Sequence, residues 1–322
     1  MSEYRFAILG AGALGTIIGA HLVRAGHSVV MLVRERRAGQ IARDGLRIKG
    51  LAEFSVAVPA LIDTTQLRGA ETLIVATKTP GTAEALANLR NVPIGTAFSV
   101  QNGVLKNQLL IDAFGEQRVL GSIANTSGEL LSSGEVLFTR NVALLIGELA
   151  GGDSERAQRI ASIIDAAGIR ASAVPDISSR EWSKFASWVG FMTLSVATRA
   201  STWKYMTDPD AALLLTRLVR EIGALAQARG IPLTDQSMLP IASMCRDSEA
   251  DAVQAVFKAG EEFKRNVPEH RMSALQDFEA GRPLEVEETL GYALSEARRL
   301  QQNPVVLETC YQLVRAMQRT RP

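Results

Sequence analysis

Phe6-Ala-Ile-Leu9 is an unbroken apolar run that stops at Gly10, and a helical-looking stretch, Thr16 to Ala25, comes next. Further apolar runs occur at Ser28–Val33, Thr72–Ala76, Thr96–Val100 and Val142–Ile146. Short runs without polar alternation predict strands buried on both faces. Alternating with helical segments up to about residue 175, they predict an α/β fold built on one doubly wound parallel sheet.

Beyond Pro175 the strand signals stop. Asp208-Pro209 reads as an N-cap with proline at N1, the amphipathic pattern continues to Ala228, and Gly230 stops it before Pro232. Ser248 to Asp251 starts a helix through Phe263; another runs from Glu285 to Gln302, and Pro304 starts the last. The chain is therefore expected to divide into a sheet domain at 1–175 and an all-helical domain at 176–322. No internal repeat or low-complexity linker is visible.

At 322 residues and 47% hydrophobic content, the chain is long enough for two domains with large cores. Its net charge of +1 gives no reason to expect a nucleic-acid or membrane partner. Cys245 and Cys310 are far apart in apolar surroundings, which fits reduced core thiols in a cytoplasmic protein. No Cys/His spacing suits a metal. Of the three histidines, His21 and His27 fall in the framework of the first domain, leaving His270 for chemistry. Residues 6–23 are uncharged, but four glycines interrupt them, no small-residue cleavage site follows and Glu3 precedes them, so a signal or membrane segment is rejected.

The break after the first run is Gly10-Ala11-Gly12-Ala13-Leu14-Gly15, a dinucleotide fingerprint between strand and helix. Gly10 permits the tight turn, Gly12 close approach of a pyrophosphate, and Gly15 close packing of helix on strand. The anion would meet the helix N-terminus along Gly12, Ala13 and Leu14. After the second strand, where an NAD site carries an acid, this chain has Arg34, with Arg36 and Arg37 close behind. A guanidinium there suits a 2′-phosphate and points to NADP(H). These features make the first domain Rossmann-type.

Ligands of such a sheet gather at the carboxyl ends of its strands, where Lys78 and Gln101-Asn102-Gly103 stand. In the helical half, Lys184 lies among Trp182, Phe185 and Val189, and Lys184, Trp188 and Met192 share one helical face. Such a lysine either snorkels over apolar surface or acts as a general acid. His270 to Asp277 and Gly281 to Glu285 form a polar stretch that could aim a hydroxyl and a carboxylate at a ligand, or simply cap a helix.

Together these motifs resemble the ketopantoate reductase (2-dehydropantoate 2-reductase) family: the glycines, the arginine after strand two, Lys78, Gln101-Asn102-Gly103, Gly134-Glu-Val, Ile146-Gly147-Glu148, Trp182-x-Lys184, Ser273-x-Leu-Gln-Asp277 and Gly281-Arg-Pro-x-Glu285. The resemblance implies that NADPH delivers hydride to the C2 carbonyl of a 2-oxo acid in a cleft between domains, in pantothenate biosynthesis by default, while Lys184 protonates the oxygen. It implies that Asn102 positions the nicotinamide side, Lys78 adds charge near cofactor and substrate, Ser273 contacts the substrate carboxylate, and Glu285 lies by the cofactor and the reacting hydroxyl.

The chain departs from the family pattern where asparagines are usual. Trp188 and Met192 stand four and eight residues after the lysine, His270 three before the serine, and Leu290 before Gly291. Fewer substrate amides favour a more apolar 2-oxo acid. The alternatives are therefore a reductase of such an acid, a non-catalytic NADP-binding regulatory protein, and, more weakly, a dehydrogenase of an imine or sugar phosphate. A homodimer through the apolar helical half is the one assembly left open.

Overall fold

The computed structural model describes residues 3–321, and the chain divides into two compact units. One holds the chain up to Asn102 together with Lys106–Ser178; the other holds Gly103–Leu105 and everything from Ser179 onward.

The first unit begins β1 (Tyr4–Leu9), α1 (Ala13–Arg24), β2 (Val29–Leu32), α2 (Glu35–Asp44), β3 (Leu46–Gly50), β4 (Phe54–Val56) and β5 (Ala60–Leu61). It continues with β6 (Ala70–Val75), α3 (Thr82–Ala87), β7 (Ile94–Ser99), α4 (Leu105–Phe114), β8 (Leu120–Leu130), β9 (Val136–Glu148), α5 (Glu155–Ala166) and β10 (Ala171–Ala173). Five strands form a wholly parallel sheet in the order β5-β2-β1-β6-β7. Alternate residues of each strand serve opposite faces. Phe6, Ile8 and Met31 pack with Ile17 and Ile18 of α1, whereas Ala7, Leu9 and Val30 pack with Leu86 of α3 and Leu110 and Phe114 of α4. Burial on both faces is why these strands read as unbroken apolar runs.

The run Val142–Ile146 belongs elsewhere. It is part of β9, which sits in a second, mixed sheet: antiparallel to β8 along one edge, and parallel to β3 and then β10 along the other. The correction has a simple cause. β9 is long enough to reach the core of α1 and α5 twice, through Val136 and Phe138 and again through Leu144 and Ile146, with a largely exposed middle at 139–142, so the apolar run marks only its later part.

The second unit is helical: α6 (Ile177–Thr198), α7 (Thr202–Met206), α8 (Pro209–Ala228), α9 (Ile241–Arg246), α10 (Glu249–Asn266), α11 (Ser273–Glu279), α12 (Tyr292–Arg299) and α13 (Val305–Thr320). Its core centres on α6 and α8, where Phe185, Phe191, Leu215, Val219 and Ile222 are essentially inaccessible. Burying each such side chain contributes about 1.5–3 kcal/mol. The expected continuous helix from Glu285 to Gln302 is not formed. Glu285 lies outside any helix, Glu287–Gly291 is a π turn closed by the Gly291 amide donating to the Val286 carbonyl at 2.9 Å, and only then does α12 begin. Among the described residues no helix is long and apolar enough to cross a membrane.

Candidate active site

In the first unit, β1 ends in a turn shaped by its glycines. Gly10 has φ +99°, a conformation that favours glycine, and a Cβ on Gly15 would stand 2.0 Å from the Gly10 carbonyl oxygen. Gly12 caps α1 in an extended conformation, and a Cβ there would meet nothing nearer than the Ala76 carbonyl at 3.9 Å. The backbone is therefore open at Gly12, and as a cap it brings no side chain to bond the first amides of α1. A dinucleotide pyrophosphate fits this arrangement of amides and helix dipole.

Arg34 and Arg36 are exposed at the start of α2, immediately after β2. Arg37 is differently engaged. Its Nε donates to the Ala11 carbonyl at 3.0 Å, and its terminal nitrogens donate to the Gly134 carbonyl at 2.8 Å and to Thr16 Oγ1 at 3.0 Å. It braces the glycine turn from behind, against the β8–β9 hairpin.

Lys78 is exposed in the loop after β6, and Asn102 is half-buried after β7. Between these loops lies Gln101, which spacing alone did not single out as a structural hub. Its Oε1 accepts from Ser99 Oγ at 2.9 Å, and its Nε2 donates to Thr82 Oγ1 at 2.7 Å and Thr77 Oγ1 at 3.1 Å. Thr82 Oγ1 in turn donates to the Lys78 carbonyl at 3.1 Å. The Gln101 side chain thus ties the Lys78 loop to the Asn102 loop.

In the second unit, α6 carries Lys184, half-buried, beside Trp182 and Phe185, whose rings meet edge to face. Ser183 Oγ accepts from the Thr234 amide at 2.9 Å, so α6 is pinned one residue before the lysine. The Glu285 segment is brought to this helix through Thr289, whose hydroxyl donates to the Glu285 carbonyl and lies 3.9 Å from Met192 Sδ. Gly103, at φ +80°, joins the same cluster: a Cβ there would lie 3.7 Å from Thr289 Cγ2 and 4.0 Å from Phe185.

Not every residue singled out from the sequence presents itself to a ligand. Met192 is 0% exposed and Trp188 8%, both in the helical core, because the face of α6 they share with Lys184 is covered along most of its length. Met192 therefore drops out of the substrate set. His270 is half-buried, its Nδ1 lies 2.8 Å from Thr202 Oγ1, and its ring packs on Phe263, so this histidine holds α7 to the end of α10. Ser273 is exposed at the start of α11, and Leu290 is fully buried. Glu288, which no motif flagged, is half-buried in the π turn; burial and the neighbouring Glu285 and Glu287 carboxylates raise its pKa. Glu287 itself bonds Tyr311 and pairs with Arg315.

Two family models match the chain: "Ketopantoate reductase PanE/ApbA" over residues 6–151 and "Ketopantoate reductase PanE/ApbA C terminal" over 176–318. The 2-dehydropantoate 2-reductase of Archaeoglobus fulgidus is 28% identical over 99% of both chains, and that of Nostoc sp. 26% identical over 93% of this chain and 91% of its own. In fold, the chain is similar to a PanE/ApbA family ketopantoate reductase from Ralstonia eutropha, with a TM-score of 0.81, 22% identity and 98% coverage of each. It is also similar in fold to a D-mandelate dehydrogenase crystallised with NADH, with a TM-score of 0.82, 16% identity, and 98% of this chain and 99% of that one covered.

Proposed function

The chain belongs to the ketopantoate reductase family of oxidoreductases acting on a CH–OH group, and on that premise we propose that it reduces a 2-oxo acid at C2 with NADPH, 2-dehydropantoate being the default substrate. The observation that carries this reading is the open glycine cradle at the end of β1, in a chain whose family match extends over both units. A reduced nicotinamide supplies a hydride when bound. The chain's own residues bind, orient and protonate.

The amides of Gly12, Ala13 and Leu14 hold the pyrophosphate, and Arg34 takes the 2′-phosphate because its guanidinium is exposed at the end of β2. Asn102 orients the nicotinamide side, and Lys78 adds positive charge where an anionic substrate arrives. Lys184 donates the proton to the carbonyl oxygen, a contribution of roughly 10²–10⁴-fold. Glu285 keeps the ammonium and the new hydroxyl in register, while Ser273 bonds the substrate carboxylate. His270 and Trp188 act behind this layer, shaping the site through α7 and α6.

Trp188 and Leu290 stand where the family's amides are usual, and the loss of those amides makes a more apolar 2-oxo acid the rival substrate. A panel of 2-oxo acids, hydroxylated, branched and aromatic, assayed by NADPH oxidation tests both points. Turnover on any member supports the reductase reading, and the rank order names the side chain. Tight dinucleotide binding with no turnover on any of them would overturn the reading in favour of a regulatory NADP-binding protein.

A further inference from the structure

Lys106 lies in the second turn-forming position of α4 and is 3% exposed, although it carries an ammonium and no step above uses it. Its Nζ donates to the Ser99 carbonyl at 3.0 Å and to the Ser122 carbonyl. Ser122 Oγ donates to the same Ser99 carbonyl at 2.6 Å. Ser99 is the last residue of β7, and its hydroxyl donates to Gln101. Through Gln101 the bonds continue to Thr77, Thr82 and the Lys78 carbonyl. One buried polar chain thus runs from β8, across the end of β7, to the loop after β6.

Packing alone does not call for a lysine at this position. Methionine would fill a similar volume without taking a charge out of water. What the ammonium adds is a clamp on two carbonyls at the carboxyl end of a parallel sheet, the edge at which such sheets bind ligands. The strand order gives that edge a direction. β1 and its glycine turn lie in the middle, with β2 on one side and β6 and β7 on the other; with the 2′-phosphate at Arg34, as proposed above, the β2 side is the adenosine side. The loops that Lys106 and Gln101 hold are those on the nicotinamide side.

We propose that Lys106 is a positioning residue for the nicotinamide half of the dinucleotide, setting the Gln101–Asn102 loop and, through Gln101, the Lys78 loop. The inference rests on the reading of the chain as a nicotinamide-dependent reductase. It predicts damage confined to one half of the cofactor.

The test compares binding of NADH and NADPH with binding of ADP-ribose, which has the adenosine and pyrophosphate but no nicotinamide, in wild type, Lys106→Met and Ser122→Ala. Loss of charge-assisted bonds in Lys106→Met should weaken both reduced dinucleotides by about tenfold or more and leave ADP-ribose within about twofold of wild type. Ser122→Ala, which keeps the ammonium and removes one neutral bond, should show the same selectivity with a loss of about threefold, and it decides the matter if Lys106→Met does not fold. Equal loss of all three ligands, or no loss of any, overturns the positioning role. Wild-type protein that binds ADP-ribose but neither reduced dinucleotide overturns the reductase reading as well, whereas selective wild-type binding unchanged in both variants removes Lys106 alone.

Discussion

A Cβ placed on Gly15 would stand 2.0 Å from the carbonyl oxygen of Gly10, so the first turn of α1 is pressed against the end of β1 with no room for a side chain. Gly12, two residues into the same turn, has φ −70° and open space on its Cβ side. The two glycines should fail differently. Gly15→Ala is expected to lower the melting temperature, because backbone must move to admit the methyl group. Gly12→Ala should melt like the parent and lose dinucleotide, since the methyl group occupies the pyrophosphate's approach. Thermal melts paired with a dinucleotide titration check both, and Gly12→Ala binding as tightly as wild type would remove the pyrophosphate assignment.

The arginines after β2 divide in the same way. Arg34→Ala removes an exposed guanidinium worth about 1.5–3 kcal/mol to a phosphate, so NADPH should weaken by roughly 10- to 100-fold with NADH little changed. Arg37→Ala instead cuts the bonds to Ala11, Thr16 and Gly134, and should depress stability and the binding of both dinucleotides alike. Equal losses of NADH and NADPH in Arg34→Ala would sink the 2′-phosphate role.

Lys184→Ala is expected to lower kcat by roughly 10²–10⁴-fold on the best 2-oxo acid, with dinucleotide binding retained. Steady-state kinetics and cofactor titration on one preparation separate the two effects. Turnover within threefold of the parent would mean that another group supplies the proton.

Glu288 offers a pH test with a definite sign. Burial first, then the Glu285 and Glu287 carboxylates, raise its pKa above the usual 4.5, so the folded state holds this proton more tightly than the unfolded chain does. The resulting contribution to stability is fully present below pH 4.5 and is lost as pH rises through the folded pKa. Glu288→Gln should therefore melt higher than the parent at neutral pH, with the difference closing as pH falls to 4.5. Melting curves across that range check it, and a gap that widens toward acid would contradict the assignment.

Much of this architecture is legible in the sequence. The parallel strands announce themselves by burial on two faces, and α8 by its caps: Asp208 accepts from the Ala211 amide at 2.9 Å, and Gly230 ends the segment at φ +71°. The second sheet is not legible in the same way, since β8 and β9 find their register through pairing across a hairpin, with irregularities between Ala124 and Thr126 that no periodicity reveals. Within the candidate site, residue types were readable and their duties were not. Arg37 looked like one of three equivalent arginines, and Gln101 like a neighbour of Asn102; each acquires its role from partners distant in sequence. The face of Lys184, Trp188 and Met192 shows the opposite limit: helical spacing aligned them, but only packing decides that the last is sealed.

The π turn between Glu285 and α12 has a genetic corollary. An α-helix advances about 100° per residue, and a π turn spends one residue more than an α-helical turn does. Deleting a single codon within Glu287–Gly291 would turn the π turn into an α-helical one, letting α12 extend as a regular helix toward Val286 with Glu285 kept on the same side of its axis. A one-residue shortening at this point is therefore absorbed by the turn and should leave the fold and the Glu285 carboxylate in place, whereas the same deletion inside α12 would rotate everything before it by about 100°.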